Sequence, residues 1–194
     1  MRATLHQAIG APLDRDQSLR DPSREKCGMI HMQRSAGYST LQIVLHWLTV
    51  LLVALQYIFH EGIVAAFDEG LDAGAMTFTP AAVAHMTGGA LILGLAIWRL
   101  LLRSENPPPP APEGEPAWSS WLAPLIHRVF YILLLALPVT GALAWGMPSE
   151  FMGDTHGALR AALLFLILAH VGAVILHMAV WKTGLIRRMT RPGR

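Results

Sequence analysis

Four long apolar stretches constrain the fold of this chain more than any other feature of its sequence. They cover residues 40–59, 81–102, 121–145 and 157–181, and about 20 apolar residues are enough for a helix to cross a bilayer. None contains Asp or Glu, and Arg99, Arg128 and Arg160 each lie near the end of a stretch. Hydrophobic residues form 53% of the 194-residue chain and charged residues only 14%, which is typical of membrane proteins. We therefore predict an all-α membrane protein, a four-transmembrane-helix bundle.

The distribution of basic residues predicts how this bundle is oriented. Of the 15 Lys and Arg residues, all except Arg160 lie before the first span, around the connection between the second and third spans, or after the last span. Because Lys and Arg are concentrated on the cytoplasmic side of membrane proteins, both termini are predicted to be cytoplasmic. The basic residues flank spans and do not form one patch with aromatic residues, so no nucleic-acid partner is expected. The two outer connections are acidic, with Glu61, Asp68, Glu69, Asp72, Glu150 and Asp154.

Composition also divides the chain into segments. Residues 1–37 are polar and of mixed charge, which predicts a disordered cytoplasmic N-terminal extension. Residues 38–190 form the predicted membrane domain, in which the proline-rich segment 104–120 is an extended cytoplasmic linker. Met29 and Met32 precede the first span, so a start downstream of Met1 is a hypothesis. The single cysteine, Cys27, excludes a disulfide within the chain and a Cys-x-x-Cys-His haem attachment site.

Histidines are the candidate functional residues of the spans. Seven of the nine lie in the spans or at their edges: His46, His60, His85, His127, His156, His170 and His177. An ionisable side chain inside a bilayer is costly and is a functional candidate by default. One such histidine alone is about as often a neutral residue that is hydrogen-bonded to a neighbouring helix. Seven together favour a cofactor site.

Depth sorts these histidines into two levels. His156 and His170 are 14 residues apart, so they lie ~21 Å apart and within ~40° of one face of the fourth helix. His46 lies toward the cytoplasmic end of its span, and His85 lies toward the outer end of its span. His46 and His170 can therefore form an inner pair, and His85 and His156 an outer pair, each from two helices.

Paired imidazoles in an apolar bundle favour haem over a bare metal ion. A zinc site usually recruits three or four ligands, with carboxylate or thiolate among them, and the spans contain no Asp, Glu or Cys. Two axial histidines leave haem iron without an open position, so electron transfer is the expected role. Spacing alone leaves alternatives open, because His127 and His177 also lie toward the inner level and His60 toward the outer level. We expect His60 at the membrane surface and His177 at the interface or beside haem propionates.

Four sequence blocks together resemble the bacterial cytochrome b561 family. They are LQIVLHWLTV (41–50), HMTGGALILGLAIWRLLLR (85–103), IHRVFYILLLALPVTG (126–141) and HGALRAALLFLILAHVGAVILHMAVWK (156–182). The resemblance covers essentially residues 38–190 and implies a multi-pass protein of the bacterial inner membrane with two non-covalent b haems. It implies that His46 and His170 ligate the inner haem and that His85 and His156 ligate the outer one. His127, His177, Arg160 and Arg99 are candidates for groups around the haems.

The resemblance also implies a relay of single electrons between a periplasmic redox partner and ubiquinone or another membrane quinone. Some members resemble superoxide oxidases, so an oxidoreductase of the superoxide:quinone or quinol-electron-transfer type is one expectation. The acidic outer connections would repel superoxide, and Arg160, four residues after His156, is the candidate for a local anion contact or a propionate partner. Two other classes are a cytochrome b anchor subunit of a periplasmic dehydrogenase or hydrogenase and, disfavoured by the absence of intramembrane carboxylates, a histidine-lined metal or proton transporter. Lipid and a second copy of the chain, in a homodimer, complete the expected partners.

Overall fold

The described part of the protein, residues 37–109, 114 and 116–193 of a computed structural model, is all-helical. The parts of the predicted N-terminal extension and linker that fall at residues 1–36, 110–113 and 115 lie outside it, as do Cys27, Met29 and Met32. The helices are α1 (Thr40–Ile58), α2 (Glu61–Ala73), α3 (Pro80–Glu105), α4 (Ala117–Gly146), α5 (Glu150–Leu176) and α6 (Leu185–Arg188), and a π-helical turn (His177–Trp181) continues α5. Helices α1, α3, α4 and α5 with its π turn are long and apolar enough to cross a membrane. The prediction of four transmembrane helices is confirmed.

Capping residues explain where the membrane helices begin. Ser39 and Gln42 form a reciprocal capping box at the start of α1, which satisfies backbone N–H groups that have no partner within the helix. Thr79 caps α3, followed by a proline at the first helical position. Helix α5 begins at Glu150, well before the predicted span at residue 157, because Ser149 caps it and an acidic residue in the first turn interacts favourably with the helix dipole.

The sequence analysis did not predict α2, which lies in the acidic connection between α1 and α3. Ala66 and Gly70 are buried on one face of this helix, which packs against α3, and Asp68 and Glu69 are exposed. Gly74 ends the helix in the left-handed conformation, with φ of 69°. Its 13 residues are too few to cross a bilayer, which is why a search for spans missed it.

Apolar side chains from all four membrane helices meet in one core cluster. Its members are Val53, Ile92, Ala96, Leu133, Leu134 and Leu163. Leu163 is seven residues from both His156 and His170, so it lies ~10 Å along α5 from each of them. The outer faces of the helices carry exposed apolar residues such as Phe151, Phe165 and Leu168, at 72%, 74% and 64% exposure, as expected where the neighbour is lipid. The core therefore separates two histidine levels.

The two ends of the bundle differ in charge, and we call them the acidic end and the basic end. The acidic end carries α2 and the start of α5, and the basic end carries Arg99 and Arg103 of α3 together with α6. At the basic end, Trp47 Nε1 donates a hydrogen bond to the Met189 carbonyl at 2.8 Å. Gln42 Nε2 donates one to the Asn106 carbonyl at 3.0 Å. These bonds attach the C-terminal segment and the end of α3 to α1.

Candidate functional site

A cavity of about 580 Å³ lies among helices α1 to α5 at the acidic end. His85 of α3 and His156 of α5 both line it, and their ring centroids are 6.2 Å apart at an interplanar angle of 74°. Because a metal–imidazole bond is about 2 Å long, this separation leaves room for one metal ion between the rings. The volume is within the ~300–1,000 Å³ that is usual for ligand and cofactor sites. The structure thus brings the predicted outer pair together.

Glycines shape this cavity for a flat group. Gly89 and Gly157 line it, and a Cβ at either position would meet no atom within 4 Å. Any side chain there would fill space that is now open. At Gly141 of α4 the opposite holds, because a Cβ would lie 3.1 Å from His156 Cε1. Gly141 therefore allows the His156 imidazole to pack against α4. Gly89 and Gly157 leave open space beside the paired rings, which we call the glycine cradle.

Three side-chain hydrogen bonds hold the outer site in place. Gln56 Nε2 donates to the His85 carbonyl at 3.0 Å, and the Tyr57 hydroxyl donates to the Arg160 carbonyl at 2.7 Å. Thr140 Oγ1 lies 3.2 Å from His156 Nδ1. The sequence analysis did not single out Gln56, Tyr57 or Thr140. Their signal in the sequence was weak, because each is an uncharged polar residue within a mostly apolar span.

His60, which was predicted at the membrane surface, is partly exposed between α1 and α2. It lines the same cavity as His85 and His156, and its Nδ1 is buried without a hydrogen-bond partner among the described residues. Helix α2 begins directly after His60 and contributes side chains to the same cavity. Burial and then the positive charge of Arg160 lower the pKa of His60 below its ordinary value, while Glu61 opposes the shift. Arg160 lines this cavity too, on the His156 side of α5 as its spacing predicted.

Three histidines gather toward the basic end. The rings of His127 and His170 have centroids 5.5 Å apart, and the Phe130 ring is 5.4 Å from that of His170. His46 lies within electrostatic range of both His127 and His170. The structure therefore brings His170 into ring contact with His127 and holds His46 in the same group.

Hydrogen bonds distinguish the two rings that compete to partner His170. His46 Nδ1 lies 3.2 Å from Arg99 Nη2, and because a guanidinium only donates, this nitrogen accepts. His127 Nδ1 lies 2.6 Å from the Ala123 carbonyl, which only accepts, so this nitrogen donates. In neutral rings, His127 then has a free lone pair on Nε2, whereas the one ring lone pair of His46, on Nδ1, accepts from Arg99 and its Nε2 carries the proton.

Arg99 was predicted at the membrane boundary, and it lies half-buried within α3. Its guanidinium carbon is 5.8 Å from the centroid of the Tyr131 ring. Arg99 and Arg103 line a small cavity of about 40 Å³ together with Tyr38 and His46. Burial raises the pKa of Tyr38, with Arg103 opposing, so its hydroxyl is protonated at neutral pH. Two guanidinium groups and a hydroxyl are donors suited to a carboxylate.

His177 was predicted at the interface or beside haem propionates. It is buried, with 8% of its surface exposed, in the π-helical turn that follows α5. Its ring centroid lies 4.6 Å from that of Trp181. His177 therefore packs against an aromatic residue of its own turn.

Ring contacts pair His85 with His156 at the acidic end and His127 with His170 at the basic end. Within the residues that the structure describes, no group of three or more His, Cys, Asp or Glu side chains is arranged to hold a metal ion. Two facing imidazoles beside an open glycine cradle fit haem, which needs only two axial protein ligands. An all-helical membrane bundle with such sites defines a class, the membrane-embedded haem proteins of electron transport.

Comparison with known proteins identifies the family within this class. The chain belongs to the prokaryotic cytochrome b561 family, whose pattern it matches over residues 37–192. It is 31% identical over 164 residues to cytochrome b562 of Cereibacter sphaeroides, covering 83% of this chain and 99% of that protein. It is 28% identical to cytochrome b561 homolog 1 of Escherichia coli strain K12, covering 78% and 96% of the two chains. It is 30% identical to the probable superoxide oxidase CybB of Yersinia pestis, covering 78% and 94%.

Membership of this family confirms the coarser functional predictions. The protein is a multi-pass membrane cytochrome that binds haem b and transfers electrons, as the histidines in the apolar spans predicted.

Proposed function

We propose that this protein holds two b haems and relays single electrons between a redox partner at the acidic end and a quinone at the basic end. His85 and His156 are the proposed ligands of one haem, and His46 and His170 are those of the other. The observation that carries the proposal is the pair of imidazoles of His85 and His156, which flank a cavity of about 580 Å³.

Haem b, when bound, supplies a one-electron iron couple whose potential depends on its axial ligands and on burial. The chain's own residues supply the rest. Two axial histidines for each haem would leave no open position for a ligand such as oxygen. The core cluster around Leu163 excludes water between the levels, and the glycine cradle leaves space beside His156.

Arg99 is the proposed partner of a haem propionate at the basic end. Its guanidinium lies half-buried and donates to His46 Nδ1. A carboxylate would compete for this donor, because charge-assisted hydrogen bonds are stronger than those to a neutral imidazole. Loss of the Arg99 contact would let His46 carry its proton on Nδ1 and present its lone pair on Nε2.

A quinone site at the basic half, ubiquinone or another, is part of the same proposal. Arg99 and Arg103 offer donors there, and Trp181 and Lys182 are the proposed boundary of the site. With the basic end on the cytoplasmic side, the acidic end would face the periplasm from a bacterial inner membrane.

The haem content of the purified protein tests the proposed function. We expect two b haems per chain by pyridine haemochrome, and a reduced-minus-oxidised spectrum that does not respond to carbon monoxide. One haem per chain would refute one of the proposed pairs, and a spectral response to carbon monoxide would show an open axial position. Absence of haem would refute the site assignment altogether.

Superoxide is the specific donor that we propose to test at the acidic end, since one relative is named as a probable superoxide oxidase. Six acidic side chains are exposed there, and Arg160 lines the cavity. We expect Arg160→Ala to slow reduction of the protein by superoxide about tenfold at low ionic strength, because a local cation raises the arrival rate of an anion. Stopped-flow absorbance measures the rate.

Arg187→Ala is the matched control for Arg160→Ala, because it removes the same charge at the opposite end of the bundle. It is expected to leave the superoxide rate unchanged. If Arg160→Ala changes neither this rate nor the midpoint potential of the haem at the acidic end, neither the anion contact nor a propionate contact by Arg160 can be retained.

A further inference from the structure

Thr140 of α4 lies against the imidazole of His156 in a span where most neighbours are apolar. Its Oγ1 is 3.2 Å from His156 Nδ1, 2.9 Å from the Ala136 carbonyl oxygen and 3.1 Å from the Leu137 carbonyl oxygen. A threonine hydroxyl has one proton to donate and two lone pairs with which to accept. Its three polar neighbours therefore decide which of these roles it has toward His156.

The two carbonyls of α4 take the hydroxyl proton, because a carbonyl can only accept. With this proton directed to the Ala136 carbonyl at 2.9 Å, the oxygen of Thr140 meets His156 Nδ1 as an acceptor, and the Leu137 carbonyl is a second acceptor for the same ring, so we assign the ring proton to Nδ1. In a neutral ring this leaves the lone pair on Nε2, which is the nitrogen free to bind a metal. At His46, the corresponding Nδ1 contacts a donor instead.

We propose that Thr140 is a positioning residue for His156: its hydroxyl accepts the Nδ1 proton and holds the ring in the tautomer that ligates haem iron through Nε2. The inference rests on the proposed function, which takes His156 as an axial ligand. Gly141, the next residue, supports the same contact, because a Cβ there would lie 3.3 Å from His156 Nδ1. Thr140 and Gly141 together form the surface of α4 against which this imidazole packs.

A hydrogen bond of this kind has an electronic consequence. An acceptor on Nδ1–H raises the basicity of the ligating nitrogen. A more basic ligand stabilises ferric iron relative to ferrous iron. Thr140 is therefore expected to lower the midpoint potential of the haem at the acidic end, and not only to fix the orientation of the ring.

Potentiometric titration of the haem spectrum in a graded series of variants tests this role. Thr140→Val keeps the branched shape and removes the acceptor, so we expect one of the two midpoints to rise by the equivalent of about tenfold, or about 59 mV for one electron. Thr140→Ser retains a hydroxyl and is expected to match the unmodified protein. Thr140→Cys offers a weaker acceptor and is expected to fall between them.

Thr49→Val is the matched control. Thr49 is also a buried threonine of a membrane helix, and its hydroxyl donates to the Leu45 carbonyl at 2.7 Å. It is expected to leave the midpoint of the haem held by His156 unchanged. If Thr140→Val impairs folding, the difference between Thr140→Cys and Thr140→Ser decides instead.

Haem counting in the same samples separates the two claims. Two haems in the unmodified protein with equal midpoints in the Ser, Cys and Val variants would overturn the role of Thr140 and leave the proposed function standing. Fewer than two haems in the unmodified protein would overturn the proposed function itself. A midpoint that rises in the order Ser, Cys, Val supports both.

Discussion

Replacing His156 with alanine is expected to leave one haem per chain in the purified protein instead of two. The reason is that the cavity at the acidic end is otherwise walled largely by apolar side chains and glycines, so the axial bonds supply the directional part of haem binding. Loss of a group that only supports a metal ligand already costs ~10–100-fold in affinity, and loss of the ligand itself must cost more. His85→Ala is expected to give the same loss, because its ring faces that of His156 at 6.2 Å. Pyridine haemochrome against protein concentration measures the ratio.

His60→Ala is the matched control for this experiment, because His60 lines the same cavity and is also a histidine. It is expected to retain two haems. Added imidazole is expected to restore haem in His156→Ala, since the free ligand fits the space that the side chain left. The pairing would be contradicted if His60→Ala lost a haem while His156→Ala kept both.

Replacing His46 with alanine is expected to remove the haem at the basic end, and His127→Ala is expected to retain it. Resemblance to the cytochrome b561 family implies His46 and His170 as ligands of this haem, and release of His46 Nδ1 from Arg99 would free the lone pair of its Nε2. His127 has its ring tied to the Ala123 carbonyl of its own helix at 2.6 Å. We expect His127 to line the haem site without ligating the iron. The same haem assay applies, with His170→Ala as the positive control that loses this haem under either assignment.

The alternative for the basic end is that His127, and not His46, pairs with His170. His127 already has its lone pair on Nε2 and lies 5.5 Å from the His170 ring. If His127→Ala lost the haem and His46→Ala kept it, the ligand would be His127 and the contact between His46 and Arg99 would be permanent. The haem at the acidic end serves as an internal reference in both variants, because its proposed ligands are unchanged.

Periodicity in the sequence predicted the levels of the histidines but not all of their neighbours. His156 and His170 are separated by 14 residues, which nearly equals four helical turns, so one helix must carry both on one side. The same rule placed Arg160 beside His156. It could not relate His46 to His127, because they lie on different helices and their proximity depends on how those helices pack.

Local interactions could be predicted from the sequence only where both partners lie within one segment. The cap at Ser149 is visible in the sequence, although the apolar pattern placed the start of the span later. Helix α2 has an apolar face of only a few residues, which is below the length at which a membrane span is recognised. The sequence therefore contained no sign that His60 lines a cavity together with side chains of α2.

The sequence by itself determined that this protein is a four-helix membrane bundle with histidines in its apolar spans. Bilayer thickness and the cost of charge in lipid leave few other folds for four such apolar stretches. Only the tertiary structure decided which polar groups from other helices meet these histidines: Thr140 at His156 and Arg99 at His46. The physical reason is that a hydrogen bond requires donor and acceptor within about 3 Å, and for His156 and His46 the partner lies on another helix, at a distance set by packing.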